Sequence, residues 1–166
     1  TKKILHQQGF RVPKGEEFQT AEQAMRSYHL FSGKPFVVKP KTTNYGIGIS
    51  IFKDGAKEED YLQAITLAFK EDQSVLVEEF IQGTEYRFFV LNDQVLAVLL
   101  RVPANVKGDG KHTIEELVNK KNRDPLRGSD HRTPLEWIQL GELENLMLKG
   151  QGYQMDSIPK MDEIVY

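Results

Sequence analysis

Apolar residues in this chain occur in short runs that are separated by polar and glycine-containing stretches. Runs rich in valine, isoleucine and phenylalanine are typical of buried strands. Asn92 and Asp93 lie between two such runs and favour a tight hairpin turn. The strands predicted in this way cover residues 36–38, 49–52, 75–77, 86–91 and 95–100.

Other segments repeat their apolar residues at helical spacing. Thr20 can cap one such helix, and Thr113 with Glu116 three residues later forms a capping box for another. In the segment 57–70 the repeating residues are Tyr61, Leu62, Ile65 and Phe69. The predicted helices are one that ends before Gly9, one over 21–31, one over 57–70, one that follows Thr113 and one that includes 140–147.

The order of these elements indicates an α+β fold. Strands follow one another closely and helices flank them, which favours a mainly antiparallel sheet over a doubly wound parallel one. The chain begins partway along a helical pattern and ends on an apolar, strand-like run. We therefore expect a piece of a longer protein.

Composition narrows the classes of function. Charged residues make up 28% of the 166 residues and the net charge is −2, which argues against a broad nucleic-acid-binding surface. The chain has no cysteine, so disulfides and thiolate metal sites are excluded, and a cytoplasmic location is expected. No apolar run approaches the roughly 18 residues that a membrane span needs, so we expect no membrane partner.

The segment around Lys39 has the composition of a phosphate grip. Lys39 ends a strand directly before Pro40, so its ammonium group can be aimed at a phosphate; the alternative is an ordinary surface lysine. In the loop 42–48, Gly46 and Gly48 allow main-chain N–H groups to close over polyphosphate oxygens, and the alternative is a simple hairpin turn. The loop is neither a Walker A loop nor a dinucleotide fingerprint, because no GK[ST] follows and a third glycine is missing.

Acidic residues follow the strand 75–77. Glu78 and Glu79 could read an adenine at the strand edge, and Glu85 could accept hydrogen bonds from ribose hydroxyls; the alternative is an exposed acidic strand end. Arg87 and Arg101 alternate with apolar residues, so each must pair with a carboxylate or face a bound anion.

The remaining polar residues indicate no particular function. The four histidines have no metal-ligand spacing, and no serine or lysine has an adjacent base for covalent catalysis. The arginine-rich loop of Arg123, Arg127 and Arg132 is either solvated or in contact with an anionic substrate.

Three segments together resemble the ATP-grasp superfamily: VVKPKTTNYGIGISIF, VLVEEFIQGTEYRFFVL and LAVLLRVPANVKGDGKHTIEELV. Within it they look like the ATP-grasp module of the bacterial bifunctional glutathione synthetases, in which a γ-glutamate–cysteine ligase is fused to a glutathione synthetase. The likeness runs from Thr1 to about Gly141. Cyanophycin synthetase shares the RVPA-x-V-x-GDGKHTI pattern and is the alternative relative.

The resemblance implies a role for each site residue. Lys39 contacts the nucleotide phosphates, Glu78 reads the adenine amino group, and Glu85 binds the ribose. Arg101 is a catalytic candidate for contact with the acyl phosphate or the transferred phosphoryl group. The adenine ring is held by the segment of Glu79, Phe80 and Ile81. The flexible lid over the phosphates consists of Thr42, Thr43, Asn44, Tyr45, Gly46, Ile47 and Gly48, and Lys41 directly before it is also expected to bind the nucleotide.

The resemblance also implies one partial ATP-grasp domain over residues 1–166. Residues 1–33 would be entry helices, 34–101 the ATP-binding lid and adenine-binding strands, and 102–166 a family-specific insertion and the C-terminal part. Two family features are missing from their expected places. The earlier nucleotide-binding lysine would precede Thr1, and the metal-binding Glu-x-Asn motif has no match after Arg101, since Glu142, Glu144 and Asn145 lie in a predicted helix.

The implied activity is that of an ATP-dependent carboxylate–amine ligase. It would join γ-glutamylcysteine to glycine through an acyl phosphate and release ADP and phosphate. The implied cofactors are ATP and Mg²⁺, with the metal ligands outside this chain, and the implied partner is a γ-glutamate–cysteine ligase module in the same parent protein. The alternatives are a cyanophycin-synthetase-like amino-acid ligase and a nucleotide-binding module without chemistry. We expect the chain on its own to be inactive as a ligase.

Overall fold

A computed structural model describes residues 2–44, 46–130 and 132–166. The helices are α1 Lys2–Gln7, α2 Ala21–Arg26, α3 Tyr28–Phe31, α4 Glu58–Glu71, α5 Ile114–Lys121 and α6 Glu142–Gly150. The strands are β1 Gly15–Phe18, β2 Phe36–Pro40, β3 Ser50–Phe52, β4 Val75–Glu79, β5 Glu85–Leu91, β6 Gln94–Arg101, β7 Val106–Lys107, β8 Arg127–Gly128, β9 Leu135–Glu136 and β10 Ile164–Val165.

The chain folds into two compact units. The first consists of Thr1–Ile81 together with Gly141–Gly152, and the second of Gln82–Leu140 together with Tyr153–Tyr166. The chain therefore leaves the first unit after β4, builds most of the second, and returns to the first with α6.

The first unit is built on a four-stranded antiparallel sheet with the order β1-β4-β2-β3. Strand residues alternate between its two faces, so Phe36 and Val38 of β2 are fully buried while Val37 and Lys39 point to the opposite face. In the register of β2 and β4, Val37 lies opposite Glu78. One face of the sheet thus carries the core, and the other carries the candidate site.

Helix α4 covers the core face. Acidic residues fill its first turn, where they favour the positive end of the helix dipole. The buried stripe consists of Tyr61, Ala64, Ile65 and Ala68. The helix predicted over 57–70 is confirmed. Of its repeating apolar residues Tyr61 and Ile65 are buried and Leu62 is exposed, and Ala64 and Ala68 complete the buried face. Small side chains there let the helix approach the strands closely.

The second unit contains the β5–β6 hairpin, helix α5 and the short strands β7 to β10. Asn92 and Asp93 both have positive φ, as a tight hairpin turn requires, so the predicted turn is confirmed. The predicted capping box of Thr113 and Glu116 begins α5. Strands β7 and β10 pair antiparallel, whereas β8 and β9 form a short parallel pair.

The α+β fold with mainly antiparallel pairing is confirmed. The single helix predicted over 21–31 is wrong: it breaks at Ser27, whose hydroxyl donates to the Ala24 carbonyl oxygen at 2.7 Å and ends α2. The segment 1–33 also contains a strand, β1, besides its helices. None of the helices in the described ranges is long and apolar enough to cross a membrane.

Candidate functional site

The centre of the candidate site is the carboxylate of Glu78 on β4. Its side chain is 5% exposed, and its two oxygens contact two different lysines. Lys39 Nζ on β2 lies 2.8 Å from Oε2, and Lys2 Nζ on α1 lies 2.6 Å from Oε1. The structure therefore joins the residue predicted to grip phosphates to the one predicted to read adenine.

The sheet register explains this contact. Residues opposite each other in an antiparallel pair share a face, so Glu78 and Val37 point the same way, and Lys39 follows two residues later on that face. Lys39 and Glu78 are thus diagonal neighbours, within reach of a long side chain.

Gly15 on β1 makes room for Glu78. Gly15 lies opposite Glu78, and a Cβ atom at this position would be 2.3 Å from the Val77 carbonyl oxygen and 2.6 Å from the Glu78 Cα. Main-chain atoms cannot yield by that amount. The site therefore depends on a glycine at position 15.

The two lysines keep Glu78 ionised. Burial works to raise the pKa of its carboxyl group, but the hydrogen bonds and charges of Lys2 and Lys39 outweigh burial and lower the pKa. A buried carboxylate that is paired in this way is a charged, oriented group at neutral pH.

A second ion pair extends the cluster. Lys41 Nζ lies 2.7 Å from Glu17 Oε1, and the hydrogen bond from Lys41 lowers the pKa of Glu17. The three lysines at positions 2, 39 and 41 face two carboxylates. This leaves one net positive charge, which suits an anionic ligand.

The predicted lid is anchored at its start. The main-chain N–H and the hydroxyl of Thr42 both donate to Asp72 Oδ2, at 2.7 and 2.6 Å, and these bonds lower the pKa of Asp72. Thr43 Oγ1 donates to the Ile47 carbonyl oxygen at 3.0 Å. The hydroxyls of Thr42 and Thr43 are thus engaged within the protein rather than directed at a ligand.

Glycines shape the rest of the lid. Gly46 and Gly48 have φ values of +83° and +71°, which favour glycine. The N–H groups of Ile47 and Ile49 donate to Asn44 and Gly46 carbonyl oxygens. Tyr45, which was also predicted to belong to the lid, lies outside the described residues.

Only part of the predicted adenine-binding segment, residues 79–81, has a main-chain N–H group available to a ligand. The N–H group of Glu79 donates to the Lys14 carbonyl oxygen at 2.8 Å, and that of Phe80 to the Pro35 carbonyl oxygen at 3.1 Å. Of the segment's three N–H groups, only that of Ile81 lacks a partner among the described residues. A cleft of about 490 Å³ runs beside Glu79 and Phe80 and is also lined by Lys14, Leu30, Phe31, Lys34 and Pro35.

Glu85 and Arg101 belong to the second unit. They lie opposite each other at the open end of the β5–β6 hairpin, with Arg101 Nε 3.6 Å from Glu85 Oε1. Arg101 was expected either to pair with a carboxylate or to face a bound anion, and in the structure it pairs with the carboxylate of Glu85. Both side chains are substantially exposed, so this pair contributes little to stability.

The described residues do not form a magnesium site with three or more protein ligands. No three side chains of His, Cys, Asp or Glu among them cluster so that they could hold a metal ion. Glu142 pairs with Lys70 at 3.0 Å, and Glu144 accepts a hydrogen bond from the Gly141 N–H group at 2.9 Å. These two carboxylates therefore serve α6 and its packing.

Four residues of the site were missed by sequence reasoning. Lys2 stands in a short helix, Gly15 and Glu17 in an edge strand, and Asp72 in a turn after α4. The pattern Asp-x-Ser before a strand is a signal for Asp72, since its Oδ1 accepts the Ser74 N–H. Nothing local distinguishes Lys2, because its partner is 76 residues away.

Comparison with known proteins identifies the relatives of the chain. The family model described as the D-ala D-ala ligase C-terminus matches residues 5–121. The chain is 61% identical to the glutathione biosynthesis bifunctional protein GshAB of Enterococcus faecalis, over 100% of this chain and 22% of that protein. It is 57% identical to the GshAB protein of Mannheimia succiniciproducens, over 99% of this chain and 22% of that protein. A crystal structure of a bifunctional glutathione synthetase from Pasteurella multocida is similar with 55% identity and a TM-score of 0.46, over 99% of this chain and 22% of that chain.

The chain thus spans about a fifth of the length of the curated relatives it matches. The segments that carry the resemblance, 37–52, 75–91 and 96–118, all lie within the range that the family model matches. The predicted resemblance is confirmed. The chain belongs to the D-ala D-ala ligase C-terminus family of ATP-grasp ligases.

Proposed function

We propose that this chain is the ATP-binding part of an ATP-dependent carboxylate–amine ligase that forms glutathione. The ligase would phosphorylate the carboxylate of γ-glutamylcysteine with ATP, and the amine of glycine would then displace phosphate from the acyl phosphate. High identity to proteins named for glutathione biosynthesis supports this substrate class. The partner module in the same parent protein would be the γ-glutamate–cysteine ligase, and the reaction would take place in the cytoplasm, where ATP is supplied.

The observation that carries the proposal is the contact of Lys39 with Glu78. The pair offers a cation and a carboxylate side by side on one rigid sheet face, 2.8 Å apart. A nucleotide needs both, because its phosphates attract an ammonium group and its adenine amino group donates to a carboxylate. Since Lys2 also contacts Glu78, the carboxylate stays compensated when Lys39 turns towards a phosphate.

The remaining predicted residues have supporting parts in this proposal. The main chain of Gly46 to Gly48 would close over the phosphates, hinged at the Thr42–Asp72 bonds. The Ile81 N–H is the main-chain donor left for the adenine ring. Glu85 would bind the ribose and Arg101 the transferred phosphoryl group, which requires that their mutual ion pair open.

Mg²⁺ would neutralise the nucleotide phosphates in the ligase. Its ligands would come from parts of the parent protein other than the described residues. The function proposed for this chain is therefore the binding and orientation of ATP, without catalytic turnover.

Calorimetric titration of the chain with ATP tests the proposal. We expect saturable binding that Lys39→Ala weakens at least tenfold and that Glu85→Ala also weakens. Lys57→Ala is the matched control, because Lys57 is an exposed lysine of the same unit that makes no side-chain cap bond. We expect its affinity to stay within twofold of the parent chain.

Two results would contradict the proposal. One is an ATP affinity that neither Lys39→Ala nor Glu85→Ala changes in a folded chain. The other, for the role without turnover, is glutathione formation by this chain alone when it is supplied with ATP, γ-glutamylcysteine and glycine.

A further inference from the structure

The last residue of α5, Lys121, and Arg127 in the segment that follows are two cations that have no carboxylate partner in the described part of the chain. Lys121 Nζ donates to the main-chain oxygen of Asn105 at 2.5 Å and to its Oδ1 at 3.2 Å. Arg127 Nη1 donates to the Glu136 carbonyl oxygen at 2.8 Å. Asp124, the carboxylate between them in sequence, accepts the Leu126 N–H group at 2.9 Å instead. Both cations are thus held only by neutral oxygen atoms.

The two charges act on each other. Burial lowers the pKa of Lys121, and the positive charge of Arg127 lowers it further. Both side chains are half-buried, so water screens them incompletely. A pair of like charges without a counter-ion opposes folding, and such an arrangement is characteristic of a site whose ligand supplies the missing charge.

Arg127 also has an unused edge. Its Nε atom is buried and has no hydrogen-bond partner among the described residues. Because Nη1 is taken by the Glu136 carbonyl, the edge that remains is formed by Nε and Nη2. This edge of a guanidinium group binds the two oxygens of a carboxylate or phosphate through parallel hydrogen bonds.

The frame around Arg127 is fixed by hydrogen bonds. Asn122 donates to the Ile138 carbonyl oxygen at 2.8 Å and accepts the Ile138 N–H group at 2.9 Å. The Trp137 N–H group donates to the Gly128 carbonyl oxygen at 2.9 Å. These bonds hold residues 136–138 against β8, so the guanidinium group is oriented before a ligand arrives.

The structure also separates the arginines of this loop. Arg123 and Arg132 are exposed, whereas Arg127 is half-buried and donates to a main-chain oxygen of the protein. The two alternatives for the arginine-rich loop therefore apply to different residues. Arg123 and Arg132 fit the alternative of a solvated loop, and Arg127 fits the alternative of a contact with an anion.

We propose that Lys121 and Arg127 form a binding site for a small oxyanion, a carboxylate or a phosphate. The oxyanion accepts hydrogen bonds from Arg127 Nε and Nη2 and compensates the charge of Lys121. The site lies wholly in the second unit and does not depend on the nucleotide site proposed for the first. Amino-acid substrates carry such a carboxylate, and phosphorylated compounds carry such a phosphate.

The Nε–H resonance of Arg127 gives a direct test by proton–nitrogen correlation NMR on the 166-residue chain, with Arg127→Gln identifying the signal. Titration with inorganic phosphate and with acetate, at constant ionic strength set by chloride, distinguishes the two oxyanions. We expect one or both to shift the Arg127 Nε–H signal saturably, while chloride does not. Lys121→Gln keeps a hydrogen-bond donor for Asn105 but removes the charge, and it should weaken binding at least tenfold.

Arg123→Gln is the matched control, since it removes an exposed arginine of the same loop. Its affinity should stay within twofold of the parent chain. Two results would overturn the proposal: no saturable shift of the Arg127 signal with either anion, or equal weakening by Lys121→Gln and Arg123→Gln. Equal weakening would mean that the anions respond only to overall charge.

Discussion

Gly15 and Glu78 depend on each other at the scale of single residues. The buried carboxylate needs the space that a missing side chain leaves on β1, and the lysines need the carboxylate as their shared partner. A buried charge without a partner is costly, so removal of either lysine should leave Glu78 less stable in its ionised form. The geometry of the site is therefore sensitive to substitution of Gly15, although glycine has no side chain that could contact a ligand.

Gly15→Ala should destabilise the first unit by about 1–3 kcal/mol, because the added Cβ would collide with main-chain atoms of β4. Urea denaturation of the purified variant measures this loss. Gly150→Ala is the matched control, since Gly150 lies in α6 with open space around it and an ordinary φ. It should be neutral or slightly stabilising; an equal loss in both variants would contradict the steric explanation.

Local sequence predicted the positions of candidate residues where strand ends and glycines mark them. Lys39 and Glu78 were expected near strand ends and Gly46 and Gly48 in a loop, and the structure places them there; their roles in binding stay predictions. The contact between Lys39 and Glu78 was not predicted, because it depends on the register of two strands in which these residues are 39 positions apart in sequence. The pairing of Thr42 with Asp72 spans 30 residues and was missed for the same reason.

At the scale of elements, the longer helices and strands followed their sequence signals. Helix α4 has acidic residues in its first turn and a regular apolar stripe, and β2 and β4 are β-branched runs. By contrast β1 carries the sequence GEEF, in which only Phe18 is buried, so no alternation marks it as a strand. The strands β7 to β10 have two residues each and are defined by pairing with a strand distant in sequence or by a short contact, so no local pattern could predict them.

The capping box of α5 gives a prediction at this scale. Thr113→Ala removes the acceptor for the Glu116 N–H group and should cost about 1 kcal/mol. Thermal denaturation followed by circular dichroism measures the effect. Thr66→Ala is the matched control, because Thr66 is an exposed threonine inside α4, where alanine is the better helix former. A loss of stability in Thr66→Ala as large as that in Thr113→Ala would contradict the assignment of the cap.

The path of the chain matters at the scale of the whole molecule. Helix α6 follows most of the second unit in sequence but packs in the first, where Leu146 joins the hydrophobic core. Lys149 of the same helix donates to Asp60 at 2.5 Å on α4. The family model ends at residue 121, before α6 begins, so the core of the first unit includes a helix outside the matched range.

Leu146→Ala should therefore destabilise the first unit by about 2–5 kcal/mol, since it removes a core side chain that is 2% exposed. Native-state hydrogen exchange localises the effect. Amide protection should fall in β3 and α4, which α6 contacts, and remain in α5. Leu62→Ala, at an exposed leucine of α4, is the control and should change protection little. Loss of protection in α5 with β3 unchanged would contradict the packing of α6.

The return of α6 has a consequence for a cleaved chain. A protease that cuts once within residues 82–140 would separate α6 covalently from β1 to β4, yet the Leu146 packing and the Lys149 ion pairs would still hold it there. The first unit would then persist as a complex of two polypeptides that complement each other. Its integrity after cleavage would become dependent on concentration, as for any bimolecular association.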